Sequence, residues 1–234
     1  MRTNIQNKTK LVNSVFSKVY KKYDLMNDIM SLGVHRIWKE KYISWLNPAP
    51  NSNLIDVASG TGDVAKLFSN RIGHSAKITC VEPNKEMLEE GKKNLKKYNN
   101  IEWIKATAEA LPVKDNSFDY YTISYGIRNV CDINKALREA YRVLKTGGRF
   151  MCLEFSKIDN EAINFLYKQY SKIIPLAGKY IVGSSKPYNY LIESIDSFYN
   201  QKELSELMTK AGFSNVEYRN LSNGIAAIHS GWKI

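Results

Sequence analysis

The 234-residue sequence predicts an α/β fold whose sheet is mostly parallel and ends in an antiparallel C-terminal hairpin. Three observations predict it. Short apolar runs alternate with helical stretches after residue 53, as they do in βαβ units. A glycine-rich turn at residues 59–63 joins the first of these runs to a helix. Near the end, Asn223-Gly224 separates two further runs, and Asn-Gly is a strong hairpin signal.

The elements follow in order along the chain. Five apolar runs are predicted to be strands of the sheet: 54–58, 77–81, 101–104, 120–124 and 149–154. Helical spacing of apolar side chains predicts helices over 63–70, 85–98, 133–144 and 201–211. Gly147 and Gly148 are expected to turn the chain into the fifth strand. The hairpin strands are expected at 215–221 and 225–230, and the crossovers should be right-handed.

The chain is predicted to be a single domain, residues 1–234, with two helical additions. Residues 1–50 are expected to form a helical N-terminal cap. Residues 157–195 interrupt the alternation and are predicted to be a helical insertion covering the substrate site. Its apolar side chains with interspersed lysines, over 162–182, fit two interpretations. One is an ordinary packed cap, and the other is an apolar wall for a lipid tail with lysines facing anionic lipid.

The composition excludes several classes of protein. No run of 18 apolar residues and no apolar signal core are found, so we expect a cytoplasmic protein, with the inner face of the membrane as an alternative location. The net charge of +11 comes with lysine and asparagine spread throughout, which favours compositional bias over a binding patch. No aromatic–basic stripe is evident, so no nucleic-acid partner is expected. The cysteines and histidines lack metal-ligand spacing, so no metal is predicted.

The glycine turn has the spacing of a nucleotide site. Gly60-Thr61-Gly62-Asp63-Val64-Ala65 matches the G-x-G-x-x-G/A pattern between a strand and a helix. Small residues there let a ligand approach the backbone, and the helix start offers free N–H groups. A plain tight turn remains the alternative. Asp63 fits both helix capping and cofactor contact.

Residues that follow the second and third predicted strands restrict the kinds of ligand that the site could bind. Glu82 ends the second strand, where a carboxylate can accept hydrogen bonds from both ribose hydroxyls. It suits a dinucleotide and S-adenosylmethionine equally. The Ala-Glu-Ala-Leu-Pro segment after Thr107, together with the terminal hairpin, favours an S-adenosylmethionine-dependent methyltransferase of class I over a dehydrogenase.

Four stretches carry a closer resemblance: residues 23–33, 56–63, 123–130 continuing to 142–145, and 153–157. On these, and over nearly the whole chain from about Lys10, the sequence resembles the ubiquinone/menaquinone biosynthesis C-methyltransferases (UbiE-type). That family has a Rossmann-like class I methyltransferase sheet. The resemblance therefore implies the same fold, with S-adenosylmethionine as cofactor.

The resemblance also implies cofactor-binding residues. Family members place the cofactor against the residues that match Thr61, Glu82, Thr107, Ala108 and Ser124, and the turn adds Gly60, Gly62 and Asp63. The family usually has Asp at position 82 and Asn at position 107. Glu keeps the ribose acceptor with a longer reach. Thr cannot reproduce both the donor and the acceptor of an amide, so a weaker or backbone-only contact is expected there.

The implied reaction is methylation of a ring carbon of a prenylated benzoquinol of the 2-methoxy-6-polyprenyl-1,4-benzoquinol type, with demethylmenaquinol as a further substrate. We assign Arg128 to stabilising the phenolate that forms, directly or through water. Asn129 and Tyr23 would hold that water and orient the ring. Alternatively, Arg128 pairs with an acid such as Asp24 and fixes the N-terminal segment. Expected partners are the quinol, a membrane surface, and a second copy or a quinone-biosynthesis complex.

Three other functions stay open on the sequence. The first is a class I O- or N-methyltransferase of another small molecule. The second is an NAD(P)-dependent Rossmann oxidoreductase, since a lone glycine fingerprint is not specific. The third is a non-catalytic protein that keeps the cofactor and scaffolds a complex, which the intact Arg128-Asn129 pair argues against.

Overall fold

A computed structural model describes residues 33–73, 76–158, 160–161, 164–167, 169–170 and 186–234, together with 12, 14, 17, 27–29 and 31. Seven strands form its sheet: β1 (Leu54–Val57), β2 (Ile78–Val81), β3 (Ile101–Ile104), β4 (Phe118–Ser124), β5 (Leu144–Phe155), β6 (Ser214–Leu221) and β7 (Ala226–Trp232). Its named helices are α1 (His35–Leu46), α2 (Asp63–Ile72), α3 (Lys85–Asn94), α4 (Ile133–Val143), α5 (Lys186–Asp196) and α6 (Gln201–Lys210).

The sheet has the strand order β3-β2-β1-β4-β5-β7-β6. β1 to β5 pair in parallel, and β7 runs antiparallel to both β5 and β6. The predicted fold class, including the C-terminal hairpin, is therefore confirmed. The strand order reverses between β1 and β4, and ligands of open α/β sheets bind at such a switch point, outside the carboxyl ends of the strands.

The start of β5 differs from the prediction. The strand begins at Leu144, five residues earlier than expected, and pairs there with Phe118. The next pair is Tyr120 with Arg149, so the register shifts and the residues between them bulge out of the ladder. Gly147, with φ of 80°, supplies the left-handed backbone at this point. The glycines thus mark an irregularity inside the strand rather than a turn before it.

Helices cover both faces of the sheet, as the alternating pattern predicts. One apolar cluster packs α1, α2 and α5 on the sheet through side chains such as Leu46, Phe68 and Leu191. A second cluster packs α4 and α6 on the opposite face through side chains such as Leu137 and Met208. The central strands, such as β1 and β2, are consequently buried on both sides, as parallel sheets require.

Helix α1 is the longest described element of the predicted N-terminal cap. Its buried side chains recur at helical spacing: His35, Trp38, Lys39, Tyr42, Ile43 and Leu46. The Tyr42 hydroxyl donates to the Met151 carbonyl at 2.7 Å and accepts from the Ile123 amide at 3.2 Å. These two bonds fix α1 across β4 and β5, one helical turn from Lys39.

The described residues of the predicted insertion include α5 and helical positions at 161, 164–167 and 169–170. Most of the 162–182 stretch lies outside the described residues, and so does Tyr23. Within the described part of the chain, no helix is both long and apolar enough to span a bilayer.

Candidate active site

A cleft opens at the carboxyl ends of the strands, beside the switch point between β1 and β4. Its walls come from the loops after β1, β2, β3 and β4. Residues of all four loops line it: Ala58, Gly60, Glu82, Pro83, Asn84, Met87, Thr107, Ala108, Glu109, Tyr125, Gly126, Asn129, Val130 and Cys131, with Val12 from the N-terminal segment. We call this the main cleft.

The two glycines of the turn serve different purposes. Both have left-handed backbones, with φ of 57° at Gly60 and 90° at Gly62. Gly60 lines the main cleft, where the absence of a side chain leaves its backbone open to a ligand. A Cβ on Gly62 would lie 2.5 Å from Cδ1 of Leu95, so both packing and the positive φ disfavour a side chain here. Gly60 thus lies where a cofactor could approach its backbone. Gly62, at the start of α2, instead packs closely against Leu95.

Glu82 presents a fixed carboxylate to the main cleft. Its Oε2 accepts from the Gly60 amide and its Oε1 from the Asn84 amide, both at 2.9 Å. Burial raises the pKa of Glu82 to about 7, even though these two hydrogen bonds oppose the shift. A carboxylate held at both oxygens by backbone cannot swing away, which suits the predicted role as acceptor for a ribose.

The loops after β3 and β4 are tied to each other at the rim of the cleft. Oε1 of Glu109 accepts from the Cys131 amide at 2.6 Å. Thr107 and Ala108, which immediately precede Glu109, line the cleft, and their contact with the cofactor remains a prediction. Glu109 was not identified from the sequence as a site residue. Its role is to hold the Thr107–Ala108 wall beside the loop that contains Asn129.

A smaller recess lies on the other side of the turn and contains the predicted residues Thr61, Asp63 and Ser124. Lys39 also lines it and contacts Asp63, with 2.6 Å between Nζ and Oδ2. Burial raises the pKa of Asp63, but the charge and hydrogen bond of Lys39 outweigh it and leave that pKa lowered. Lys39 was missed from the sequence, although its place on the buried face of α1 was a signal.

The prediction that the Asp63 side chain caps the helix through a hydrogen bond is wrong. The cap position of α2 is Gly62, and no side chain caps the helix there. Asp63 is the first helical residue and its carboxylate is turned to Lys39 instead. It still lies in the first turn, where a negative charge complements the helix dipole.

Asp56 is a buried carboxyl at the carboxyl edge, in β1 just before the turn. Its Oδ1 accepts from the Thr122 hydroxyl at 2.7 Å, while its Oδ2 has no hydrogen-bond partner among the described residues. Burial raises its pKa to about 7, against the Thr122 hydrogen bond and the charge of Lys39. The protein thus holds two carboxyls with elevated pKa beside the turn, Asp56 and Glu82.

Arg128 lies in a short 3₁₀ turn, Ile127–Asn129, that follows β4. Its guanidinium makes a buried ion pair with Glu154 and donates to the Tyr125 carbonyl at 2.8 Å. Burial raises the pKa of Glu154, and the charge of Arg128 opposes that shift. The acid suggested from the sequence, Asp24, lies outside the described residues. Glu154 was missed, although an acid in the otherwise apolar end of β5 was a signal.

Asn129 reaches the main cleft, while Arg128 is not part of its described lining. The Asn129 amide lies between two groups: Nδ2 donates to the Tyr125 carbonyl at 3.4 Å, and Oδ1 accepts from the Tyr190 hydroxyl at 2.8 Å. Tyr190 belongs to α5 and was not identified from the sequence. Of the predicted site residues, the main cleft brings together Asn129, Gly60, Glu82, Thr107 and Ala108.

Comparison with known proteins identifies the family of this chain. A model of the ubiE/COQ5 methyltransferase family matches residues 3–233. The chain belongs to the ubiE/COQ5 methyltransferase family. It is similar to the ubiquinone/menaquinone biosynthesis C-methyltransferases UbiE of Rickettsia bellii (strain OSU 85-389), at 51% identity over 97% of this chain and 94% of the relative. With UbiE of Brucella abortus (strain S19) the identity is 50%, over 96% and 86%.

Solved structures of other methyltransferases have a fold similar to that of this ubiE/COQ5 family member. A methyltransferase from Thermotoga maritima, described as a possible histamine N-methyltransferase, has a TM-score of 0.66 at 23% identity, over 94% of this chain and 99% of the other. A Haemonchus contortus phosphoethanolamine N-methyltransferase in complex with S-adenosylhomocysteine has a TM-score of 0.63 at 14% identity, over 84% and 52%. The predicted Rossmann-like methyltransferase fold is confirmed.

This ubiE/COQ5 member is an S-adenosylmethionine-dependent methyltransferase, as predicted. The residues of the main cleft fit that cofactor. Glu82 offers a fixed acceptor for a ribose, and Gly60 leaves room for close approach to the backbone. The NAD(P)-dependent alternative and the non-catalytic alternative considered from the sequence are wrong.

Proposed function

We propose that this ubiE/COQ5 family member methylates a ring carbon of a prenylated benzoquinol, and of demethylmenaquinol as a second substrate. One observation supports this best. The Arg128-Asn129 turn places an oriented amide in the wall of the same cleft that contains the Glu82 carboxylate. The UbiE relatives, which are 51% and 50% identical to this chain, are named for ubiquinone and menaquinone biosynthesis.

The chain's first task is to hold the cofactor, and S-adenosylmethionine supplies a methyl group that a positively charged sulfur has already activated. We assign the ribose hydroxyls to Glu82, whose carboxylate is immobilised by two backbone amides. Thr107 and Ala108 form the facing wall. Thr61, Ser124 and the Lys39–Asp63 pair line the adjoining recess, which is suited to a zwitterionic group because it presents both charges.

The second task is to make a ring carbon nucleophilic. A quinol carbon gains electron density when the neighbouring hydroxyl loses its proton, and hydrogen-bond donors stabilise the phenolate that forms. Asn129 has an amide donor in the cleft wall, so we assign it to the ring oxygen or to a water bound there. The predicted role of Tyr23 in holding this water remains a prediction.

Arg128 acts from behind this amide. Its side chain and that of Glu154 are each only 2% exposed, and they face each other as an ion pair. An ion pair has a weaker field than an isolated cation, and burial separates the guanidinium from the cleft. We therefore favour a positioning role, in which Arg128 holds the Tyr125 carbonyl and the turn, over the direct phenolate contact considered from the sequence.

The experiment is a side-by-side assay of methyl transfer from labelled cofactor to demethylmenaquinol and to methoxy-prenyl-benzoquinol. We expect labelled product in which the methyl group is bonded to a ring carbon, as product NMR would show. Transfer to oxygen would establish the O-methyltransferase alternative instead. Absence of transfer to either quinol, by protein that binds S-adenosylmethionine, would overturn the proposed function.

A prenylated substrate also suggests where the protein works. We propose a cytoplasmic enzyme that meets the inner face of the membrane through the 157–195 insertion. Phe165 and Leu166, in the described part of that insertion, are 61% and 66% exposed. Adjacent exposed apolar side chains on a helix are a means of contacting lipid. Co-sedimentation with anionic liposomes should be lost in Phe165→Ser/Leu166→Ser, and a wild-type protein that stays in the supernatant would refute the contact.

A further inference from the structure

The amide of Asn129 has a defined orientation in this structure. The Tyr125 carbonyl can only accept a hydrogen bond, so the nitrogen of the Asn129 amide must face it. The oxygen, Oδ1, then faces Tyr190, whose hydroxyl donates to it at 2.8 Å. The Tyr125 carbonyl therefore decides between the two possible orientations of this amide, and the Tyr190 hydroxyl, which can donate or accept, donates to the oxygen that results.

The donor to Asn129 comes from a separate part of the fold. Tyr190 lies in α5, sixty-one residues further along the chain. The same helix is anchored in the core by Tyr188, Leu191 and Ile195, all of them buried. The anchor holds the Tyr190 hydroxyl at the 3₁₀ turn without depending on the Asn129 bond.

Burial raises the pKa of Tyr190 above its ordinary value, against the positive charge of Arg128, which lowers it. The hydroxyl consequently keeps its proton at neutral pH and stays a donor. Donation to the oxygen of an amide polarises that amide and makes its N–H groups stronger donors, since hydrogen bonds in a chain reinforce each other.

We infer that Tyr190 is a positioning residue for methyl transfer: its hydroxyl holds Asn129 Oδ1 so that the Asn129 N–H is directed at the oxygen of the quinol ring. This rests on the proposed function. Tyr190 does not itself contact the reacting atoms. This role would give the insertion a part in the reaction, because the hydrogen-bond donor to Asn129 Oδ1 comes from α5 and not from the sheet or its loops.

The chain provides a matched control two residues away. The Tyr188 hydroxyl is buried and has no hydrogen-bond partner among the described residues. Tyr188→Phe and Tyr190→Phe each remove one hydroxyl from the same helix, but only the second removes a bond to Asn129. Both variants are therefore expected to fold, with thermal midpoints close to that of the wild type.

The test compares kcat, KM and S-adenosylmethionine affinity in the wild type, Tyr188→Phe, Tyr190→Phe, Asn129→Ala and Asn129→Ala/Tyr190→Phe, with the quinol that the wild type turns over. We expect Tyr190→Phe to lower kcat about tenfold with KM and cofactor affinity nearly unchanged, the size of effect for one oriented hydrogen bond. Tyr188→Phe should match the wild type. The double variant should be no slower than Asn129→Ala.

The inference would be overturned, while the proposed function stands, by a Tyr190→Phe enzyme as fast as Tyr188→Phe, or by a loss that persists in full in the Asn129→Ala background. Equal loss of kcat and of cofactor affinity would indicate a purely structural hydroxyl and would also overturn it. A wild type inactive on both quinols would instead overturn the proposed function, and the inference with it.

Discussion

Arg128 and Glu154 form a buried ion pair between the turn after β4 and the end of β5. The backbone amide of Arg128 also points at Oε2 of Glu154, 3.4 Å away. Glu154 thus holds both the side chain and the backbone of the residue next to Asn129. A pair so deeply buried keeps its geometry, and its two members depend on each other, because either charge alone would lie in an apolar surrounding.

Arg128→Met should therefore affect stability and turnover together. Without its partner the Glu154 carboxylate is left buried, which should lower the free energy of unfolding by about 3–5 kcal/mol, as for other broken buried pairs. Arg128→Met/Glu154→Gln, which leaves no charge, should regain most of that loss in urea unfolding. Turnover should remain abolished in both, with S-adenosylmethionine still bound. A double variant with wild-type turnover would show that methyl transfer does not need Arg128.

Glu82 should make cofactor binding depend on pH. The ribose hydroxyls require the ionised carboxylate as acceptor, and the pKa of Glu82 in the free protein is about 7. The affinity for S-adenosylmethionine should therefore fall about tenfold from pH 8 to pH 6, because the carboxyl must first lose its proton. Titration calorimetry at both pH values measures this.

Two variants test whether Glu82 causes that dependence. Glu82→Gln should bind the cofactor more weakly, with nearly the same affinity at both pH values. Glu86→Gln is the control: Glu86 is an exposed carboxyl of α3 whose pKa is lowered, first by a backbone hydrogen bond, so it stays ionised throughout this range. Its variant should retain the wild-type slope. A steep slope in Glu82→Gln would assign the effect to another group.

The sequence predicted the parts of this protein that depend on local pattern. The sheet, its hairpin and the glycine turn follow from periodicity and turn chemistry, and the structure has all three. Glu82, which lines the main cleft, could be singled out because it occupies a fixed place after its strand. The bulge at Gly147 was not found, because the register of β5 depends on its pairing with β4.

Side-chain partners from distant elements could not be predicted in the same way. Lys39 meets Asp63 only when α1 packs beside the turn, and Tyr190 meets Asn129 only when α5 folds back over it. Both approaches depend on tertiary packing, so no local pattern identifies the two partners as a pair. A charged or acidic residue at an apolar position, as at Lys39 and Glu154, was the only trace in the sequence.

Asp56 should make the folded state less stable as pH rises. Its pKa is about 7 in the folded protein against an ordinary 3.8, so between about pH 4 and 7 the folded chain holds a proton that the unfolded chain releases. The free energy of unfolding should decrease across this window and level off above pH 7. Glu82 contributes with the same sign from its ordinary 4.5 upward.

Asp56→Asn removes the first of these contributions. Its stability curve should be less steep by up to about 1.4 kcal/mol per pH unit between pH 5 and 7, the limit for one proton. Asp56→Asn/Glu82→Gln should be flatter still. Urea unfolding at several pH values measures both, and a curve for Asp56→Asn that parallels the wild type would show that Asp56 titrates near its ordinary pKa.

Gly62 and Gly73 offer a comparison between packing and backbone conformation at the two ends of α2. Both have positive φ, 90° and 76°, but Gly62 is in the left-handed helical region with ψ of 21°, whereas Gly73, with ψ of −174°, is in an extended region that essentially only glycine adopts. A Cβ on Gly73 would meet no atom of the described residues within 4 Å, whereas one on Gly62 would lie 2.5 Å from Cδ1 of Leu95. Gly73→Ala should therefore cost only its backbone conformation, about 1–3 kcal/mol. Gly62→Ala should cost about 1–2 kcal/mol for the left-handed conformation and a further ~1–3 kcal/mol from overpacking.

The source of the extra cost at Gly62 is testable by shortening its neighbour. Leu95→Val removes the Cδ1 atom that an alanine at position 62 would meet, so Gly62→Ala should be less destabilising in that background. A coupling of about 1 kcal/mol is expected for residues in direct contact. Gly73→Ala and Leu95→Val should simply add, since a Cβ on Gly73 would not contact Leu95. Additive effects of Gly62→Ala and Leu95→Val in urea unfolding would show that this glycine is required by its backbone conformation alone.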